Sequence, residues 1–326
     1  MKDHADFFRG QLTAAFGLEP LGSAKLAEWV NSGNASLTAP VSMGYPQTLQ
    51  SLTSLRPLFG FEAERFSSAA LESYATARTR WNDPEDRDGI AWKFVSLYYS
   101  AYYSAHAILR LSGISVTQID NWRSLESDYK TLYQSQQSPA LGLQSGYHVL
   151  KLDQSGTSLS VAQARVDSTH GSHTALWHEF KQLADSSYAN NALNTSLHQA
   201  AVGEYSQKLS RSLTVDGRAC VWPWMPVVRN RINYRLPEQV WGAPSKRLTP
   251  SVNKRIHNLI DSPTSGKIFD ASAEDLEWFR FSASCVYVVC LLCHLFRDME
   301  LRSKSKALLP AFFKKREPII SKLCSA

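Results

Sequence analysis

The run from Ser282 to Phe296 constrains the fold of this chain more than any other stretch. It is almost wholly apolar, contains three cysteines and one histidine, and lies between Arg280 and Arg297. A helix that crosses a bilayer needs ~20 apolar residues, and this run is shorter. It therefore reads as a core helix, which obliges the rest of the chain to supply apolar faces that bury it. The helix is expected to begin near Ser272, where Ser272-Ala273-Glu274-Asp275 resembles a capping box, and to reach about Arg302. Its seam takes in Leu276, Phe279, Ala283, Val286, Cys290, Cys293 and Arg297. The natural partner is Ile90 to Leu111, where Phe94, Tyr98, Ala101, Ala105 and Ile108 recur at helical spacing and Gly113 supplies the stop. Tyr98, Ala101, Tyr102 and Ala105 are expected to pack against the Ser272–Arg302 helix. The two tyrosine stripes of this segment, Tyr98/Tyr102 and Tyr99/Tyr103, read as core packing.

The chain has 326 residues, 44% of them hydrophobic and 20% charged, which describes a globular protein and excludes a disordered or fibrous one. A charged, polar beginning without an apolar segment implies no secretory signal. Five unevenly spaced cysteines make no disulfide framework. A reducing cytoplasm and no membrane contact are the expectation. Cys290-Leu291-Leu292-Cys293-His294 has the spacing of a haem attachment site, but inside an apolar helix these are packed thiols. His170, His173 and His178 do not complete a metal site: Glu179 points to another side of the helix and Asp167 precedes it. No cofactor is expected.

Residues 1–85 read as an N-terminal helical region, with helices at Phe7–Phe16 and Lys25–Val30, a loop-rich stretch from Asn31 to Ser54, and a helix at Glu62–Trp81 broken by Asn82-Asp83-Pro84. Residues 86–301 read as the main helical domain. Within it, Tyr147–Leu152, the turn Gln154-Ser155-Gly156 and Thr157–Val161 predict a small inserted β-hairpin near 147–166. Further helices are expected at Ser172–Ala184 and Thr195–Leu213. Residues 302–326 form a basic tail, and the fold class is all-α with that one insertion.

Charge is unevenly placed. The stretch from Arg218 to Ile260 carries eight basic residues against Glu238 alone, and Arg302 to Lys322 carries seven against Glu317 alone, so a chain of net charge +6 is net −7 elsewhere. Such clustering suits a phosphate backbone or an acidic partner. In the first stretch, Val227-Val228-Arg229-Asn230-Arg231-Ile232-Asn233-Tyr234-Arg235 lies between Pro226 and Pro237, which pins a helix of about three turns. Arg229 falls over Asn233, and Asn230 over Tyr234. A guanidinium, two carboxamides and a phenol at this spacing suit phosphate and base recognition. They equally suit an interior brace against a buried carboxylate such as Glu204. On the first reading Arg231, Asn233, Arg235, Lys246, Arg247, Lys254 and Arg255 extend a nucleic-acid-binding face.

A Tyr- and Ala-rich helix (Tyr98 to Leu109) followed by a helix bearing Arg-Asn-x-x-Asn-Tyr resembles the HEPN family of helical-bundle proteins of bacterial toxin–antitoxin and antiphage systems. The likeness covers residues 90–111 and 220–300. It implies a HEPN-like bundle, a homodimer or a genomically neighbouring antitoxin or defence partner, and metal-independent endoribonuclease chemistry on RNA. Arg229 matches the family's arginine and would stabilise the charged transition state. Asn230 matches the polar residue after it and would orient the phosphate. Tyr234 stands at the first position open to the family's histidine. A phenol of pKa ~10 holds its proton where an imidazole of ~6.5 exchanges it. Three alternatives stay open: a tuned Tyr234, a histidine from elsewhere (His106 or His257), or a catalytically silent subunit that binds a partner protein.

Overall fold

The computed structural model describes residues 25–32, 36–37, 47–83, 90–120, 122, 145–164, 171–191, 213–215, 218–220, 224–234, 249–264, 266–268, 277–302, 320–321 and 323–324. The expected helix at 7–16, most of that at 195–213, the capping box at 272–275 and Glu204 lie outside these residues. The protein is mostly helical, with a small antiparallel sheet. The chain divides into two compact units, one holding Phe66–Ala105 and Phe180–Ala326 and the other Leu12–Arg65 and His106–Glu179.

The second unit contains the sheet. Its elements are α1 (Leu26–Asn31), β1 (Ser36–Leu37), β2 (Gln47–Gln50), the start of α2 (Arg56–Asn82), the end of α3 (Ile90–Leu111), β3 (Ile114–Ile119), β4 (Gly146–Leu152), β5 (Ser158–Gln163) and the start of α4 (Gly171–Asn191). The expected hairpin is present as β4 and β5, paired Leu150 to Val161 and Leu152 to Leu159. It is not a lone insertion. It forms the middle of a five-stranded sheet ordered β1-β2-β5-β4-β3, antiparallel throughout. The stretch read as loop from Asn31 to Ser54 thus contributes two strands, β2 pairing along the outer edge of β5 and β1 along β2, which satisfies their backbone groups. Leu49, Val116, Val149, Leu159 and Val161 are buried along these strands.

The hairpin turn is fixed by Asp153, whose carboxylate accepts from the backbone N–H of Gly156 (2.9 Å) and Ser158 (3.1 Å). Gly156 sits at φ +81°, and a Cβ there would come 2.8 Å from the Arg56 guanidinium. Arg56 in turn donates to the carbonyl of Gln154 at 2.6 Å. Only glycine allows both that backbone and that approach.

The same unit buries an ion pair. Arg110 Nε donates to Glu62 Oε2 at 2.5 Å, with both side chains almost fully enclosed. The other guanidinium nitrogens reach the carbonyls of Ile114 (3.4 Å) and Val116 (3.3 Å), and Glu62 Oε1 accepts from the Leu26 N–H at 3.0 Å. The pair therefore ties α1, α2, α3 and β3 together. A buried charge pair is tolerable only when its remaining hydrogen-bonding capacity is used in this way.

The first unit is built from the rest of α2, α3 and α4, a short ladder of β6 (Leu213–Val215) with β7 (Arg218–Cys220), α5 (Met225–Tyr234), α6 (Pro250–Asp261) and α7 (Glu277–Arg302). The segment Glu277–Met299 is long and apolar enough to cross a membrane, yet 89% of its most apolar window is buried inside the protein. It is the core helix that the Ser282–Phe296 run predicts. Phe281 of α7 lies 6.2 Å from Tyr98 with nearly parallel rings, 6.2 Å from Phe94 and 6.1 Å from Trp224. Phe94 also meets Trp278 (5.0 Å) and Trp81 (5.1 Å). The expected packing of α3 on α7 is thus carried at Tyr98 by aromatic rings, which together bury several hundred Å² and prefer offset or edge contacts. Cys285, Cys290 and Cys293 are buried in α7, and burial pushes their thiols upward, as packed sulfur should behave.

α6 opens on Thr249, whose hydroxyl accepts from the Val252 N–H at 3.3 Å, with Pro250 at the first helical position. It closes where Tyr74 of α2 donates its hydroxyl to the Ile260 carbonyl at 2.6 Å. In the segment read as a basic tail, Ile320 and Leu323 are buried.

Candidate functional site: Arg229 and the aromatic groove

The helix α5 is held by its apolar stripe. Met225, Val228 and Ile232 are buried, and Trp224 just before them reaches Phe281. This anchorage sets where the polar residues of the motif fall, because residues one apart on a helix differ by about 100° of rotation.

Arg229 is half-buried and rests on α3. Its Nη2 donates to the Tyr99 hydroxyl at 2.6 Å, its Nη1 donates to Asn230 Oδ1 at 2.8 Å, and its guanidinium carbon lies 5.6 Å from the Tyr99 ring centroid. Arg231 takes a different role. It is buried, with Nη1 2.7 Å from Glu277 Oε1 at the start of α7. The two arginines of the motif therefore face different groups. Arg231, expected on the nucleic-acid face, is the brace against a buried-side carboxylate, and the partner is Glu277. Arg229 sits against a phenol.

Asn230 and Asn233 are partly exposed on the same helix. Tyr234 ends α5, and its side chain lies outside the described residues, as do Arg235, Lys246 and Arg247. Lys254 and Arg255 are exposed on α6, where the Arg255 guanidinium lies 4.5 Å from the ring centroid of Phe279. Of the two histidines considered as proton carriers, His257 Nε2 is bonded to Asn82 Oδ1. His106 belongs to the sheet-bearing unit and is buried; desolvation, then the charges of Arg110 and His173, hold its pKa well below the usual imidazole value.

Tyr99 links Arg229 to a groove that the sequence alone does not reveal. The groove has a volume of about 340 Å³ between α2 and α3, lined by Glu72, Ser73 and Thr76 on one side and Trp92, Val95, Ser96, Tyr99 and Tyr103 on the other. The α3 residues fall at i, i+3, i+4, i+7 and i+11, one face of one helix. Trp92 is 49% exposed, an unusual state for so large an apolar ring. Tyr99 and Tyr103 stack at 5.9 Å, and Tyr103 stacks on Phe66 of α2 at 6.3 Å. Burial, then the neighbouring Tyr99, raises the Tyr103 pKa, so its hydroxyl stays protonated. The tyrosine stripes thus split: Tyr98 is core, while Tyr99 and Tyr103 edge the groove. The signal for this was Trp92, seven residues before Tyr99 and on its face.

Comparison with protein-family models, curated proteins and solved structures finds no match to this chain.

Proposed function

We propose that this is a HEPN-like RNA-binding protein whose binding face joins Arg229 to the aromatic groove of α3. The observation that carries the reading is the Arg229–Tyr99 contact. It brings the Arg-Asn-x-x-Asn-Tyr helix and the Tyr-rich helix, the two segments that resemble the family, to one place. A guanidinium positioned on a phenol beside an exposed indole and partly buried phenol rings suits a phosphate flanked by stacked bases. Asn230 and Asn233 add donors, and Lys254 and Arg255 extend the positive charge. In the endoribonuclease form of this reading Arg229 stabilises the transition-state charge and Asn230 orients the phosphate. The RNA 2′-hydroxyl oxygen then attacks the adjacent phosphorus and the bond to the 5′-oxygen breaks, with Tyr234 or a histidine from elsewhere taking the 2′-hydroxyl proton and returning one to the leaving oxygen, which gives a 2′,3′-cyclic phosphate and a 5′-hydroxyl. We place the protein in a bacterial antiphage or toxin–antitoxin setting in the cytoplasm, with a homodimer or a genomically neighbouring protein as partner.

A second reading is favoured by one observation, the tyrosine at position 234 where the family carries histidine. On it the protein is a catalytically silent subunit that binds a partner protein. Incubating purified protein with end-labelled RNA, and measuring binding and cleavage separately, distinguishes the two. Binding with Tyr234→Phe-sensitive cleavage supports the nuclease. Binding without cleavage keeps RNA binding and removes the nuclease, whereas protein that neither binds nor cleaves RNA refutes the RNA reading and supports the silent partner-binding subunit.

A further inference from the structure

The composition of the groove points to a particular base. Its walls are aromatic at Trp92, Tyr99 and Tyr103, and among its lining residues the only ionisable carboxyl is Glu72. A carboxylate at neutral pH accepts hydrogen bonds and donates none. Guanine presents two adjacent donors, N1–H and the N2 amino group, on its Watson–Crick edge. Adenine and cytosine pair one donor with an acceptor, and uracil has one donor between two carbonyls. A carboxylate therefore matches guanine with two bonds and meets an acceptor on each of the others. The ring of an unpaired base is bound by stacking on aromatic side chains, and its edge is then free to be read. The volume of about 340 Å³ is at the small end of ligand sites. Arg229, on the Tyr99 ring, supplies positive charge where the attached phosphate would run and disfavours a cationic side chain in the same place.

We propose that the groove holds one unpaired guanine, stacked on Trp92 and read by Glu72. This rests on the RNA-binding reading for its biological ligand, but the groove can be tested without it.

Two titrations decide it. In the first, the strands AAGAA and AAAAA, and AAIAA with inosine lacking the N2 amino group, are bound to the full-length protein. The guanine strand should bind roughly tenfold or more tighter than the adenine strand, with inosine between them. Glu72→Gln, which keeps size and loses the charge, should bring the ratio to about one in protein shown by its melting curve to be folded. In the second, free GMP and AMP are titrated while following the tryptophan emission that Trp92→Phe removes. GMP should quench it and AMP much less. Strands that bind with no base preference overturn the guanine assignment and leave RNA binding standing. Quenching by GMP alone, with no strand bound, keeps the guanine site and refutes the RNA reading. Quenching by free arginine but not GMP gives the groove to a cationic side chain and overturns the proposal, and no quenching by either refutes it as well.

Discussion

The two units of this protein use arginine in opposite ways. In the sheet-bearing unit, Arg110 is enclosed with Glu62, and its nitrogens are spent on that carboxylate and two backbone carbonyls. In the helical unit, Arg229 is partly exposed and bonds to a tyrosine hydroxyl beside an open groove. The first geometry fixes a junction of four elements. The second holds the guanidinium against a phenol and a carboxamide, the placement on which the proposed phosphate contact rests. Arg231, two residues from Arg229, belongs with Arg110: buried and matched to Glu277. Charge and residue type are the same in all three; what differs is the chemistry of the group each one faces.

The largest expected effect lies in the sheet-bearing unit. Arg110→Ala leaves Glu62 buried and uncompensated, at a cost of roughly 3–5 kcal/mol. Chemical denaturation followed by circular dichroism should show it. The double variant Arg110→Met, Glu62→Leu should recover most of that loss, because no buried charge remains; a double variant as unstable as the single one would break the assignment.

Acid should weaken both units. Burial holds the pKa of His294 in α7 down to about 4 and also lowers that of His148 in the sheet. Each is neutral when folded, while the unfolded chain takes up a proton below ~6.5. The unfolded state binds more protons, so stability is fully present above pH ~6.5 and is lost as pH falls toward 4, by up to about 3 kcal/mol for His294. His294→Leu, at a position whose Nε2 has no hydrogen-bond partner among the described residues, should flatten the slope of melting temperature against pH across that window. An unchanged slope would place the acid sensitivity elsewhere.

Next in size is Arg231→Ala. Glu277 is partly exposed and can regain water, so the expected loss is about 2 kcal/mol, less than for a fully enclosed pair. Its effect on RNA affinity should be no more than its effect on folding explains. A fall in affinity in protein that melts normally would return Arg231 to the binding face.

How far the sequence foretold this structure depended on how local each signal was. The α7 run, the α3 period with its stop at Gly113 (φ +72°) and the Gly156 turn were legible because each is decided within a few residues. β2 was not, because Gln47-Thr48-Leu49-Gln50 buries only Leu49 among its described side chains and becomes a strand by pairing with Ser158–Val161, more than a hundred residues on. β3, with β-branched residues directly after Gly113, is an edge strand that exists by its pairing with β4, a partner some thirty residues on. At the site, the motif helix was legible and the fates of its arginines were not. Arg229 and Arg231 are separated by about 200° of rotation, and only tertiary packing sets one toward Tyr99 and the other toward Glu277. The groove depends on which face of α3 meets α2, and that too is decided across the fold.

Arg229→Ala tests the central claim most directly, and it should be measured beside Arg231→Ala for both melting and single-stranded RNA affinity. Arg229→Ala gives up its bonds to Tyr99 and Asn230, so its folding cost should be about 1 kcal/mol. The same change should weaken RNA binding at least tenfold and flatten the dependence of affinity on salt, because one phosphate contact is gone. A melting temperature lowered by only about 2–4 °C together with lost RNA binding is the predicted result. Early melting with RNA affinity unchanged in the folded fraction would contradict it, and would make Arg229 a brace of the same kind as Arg231.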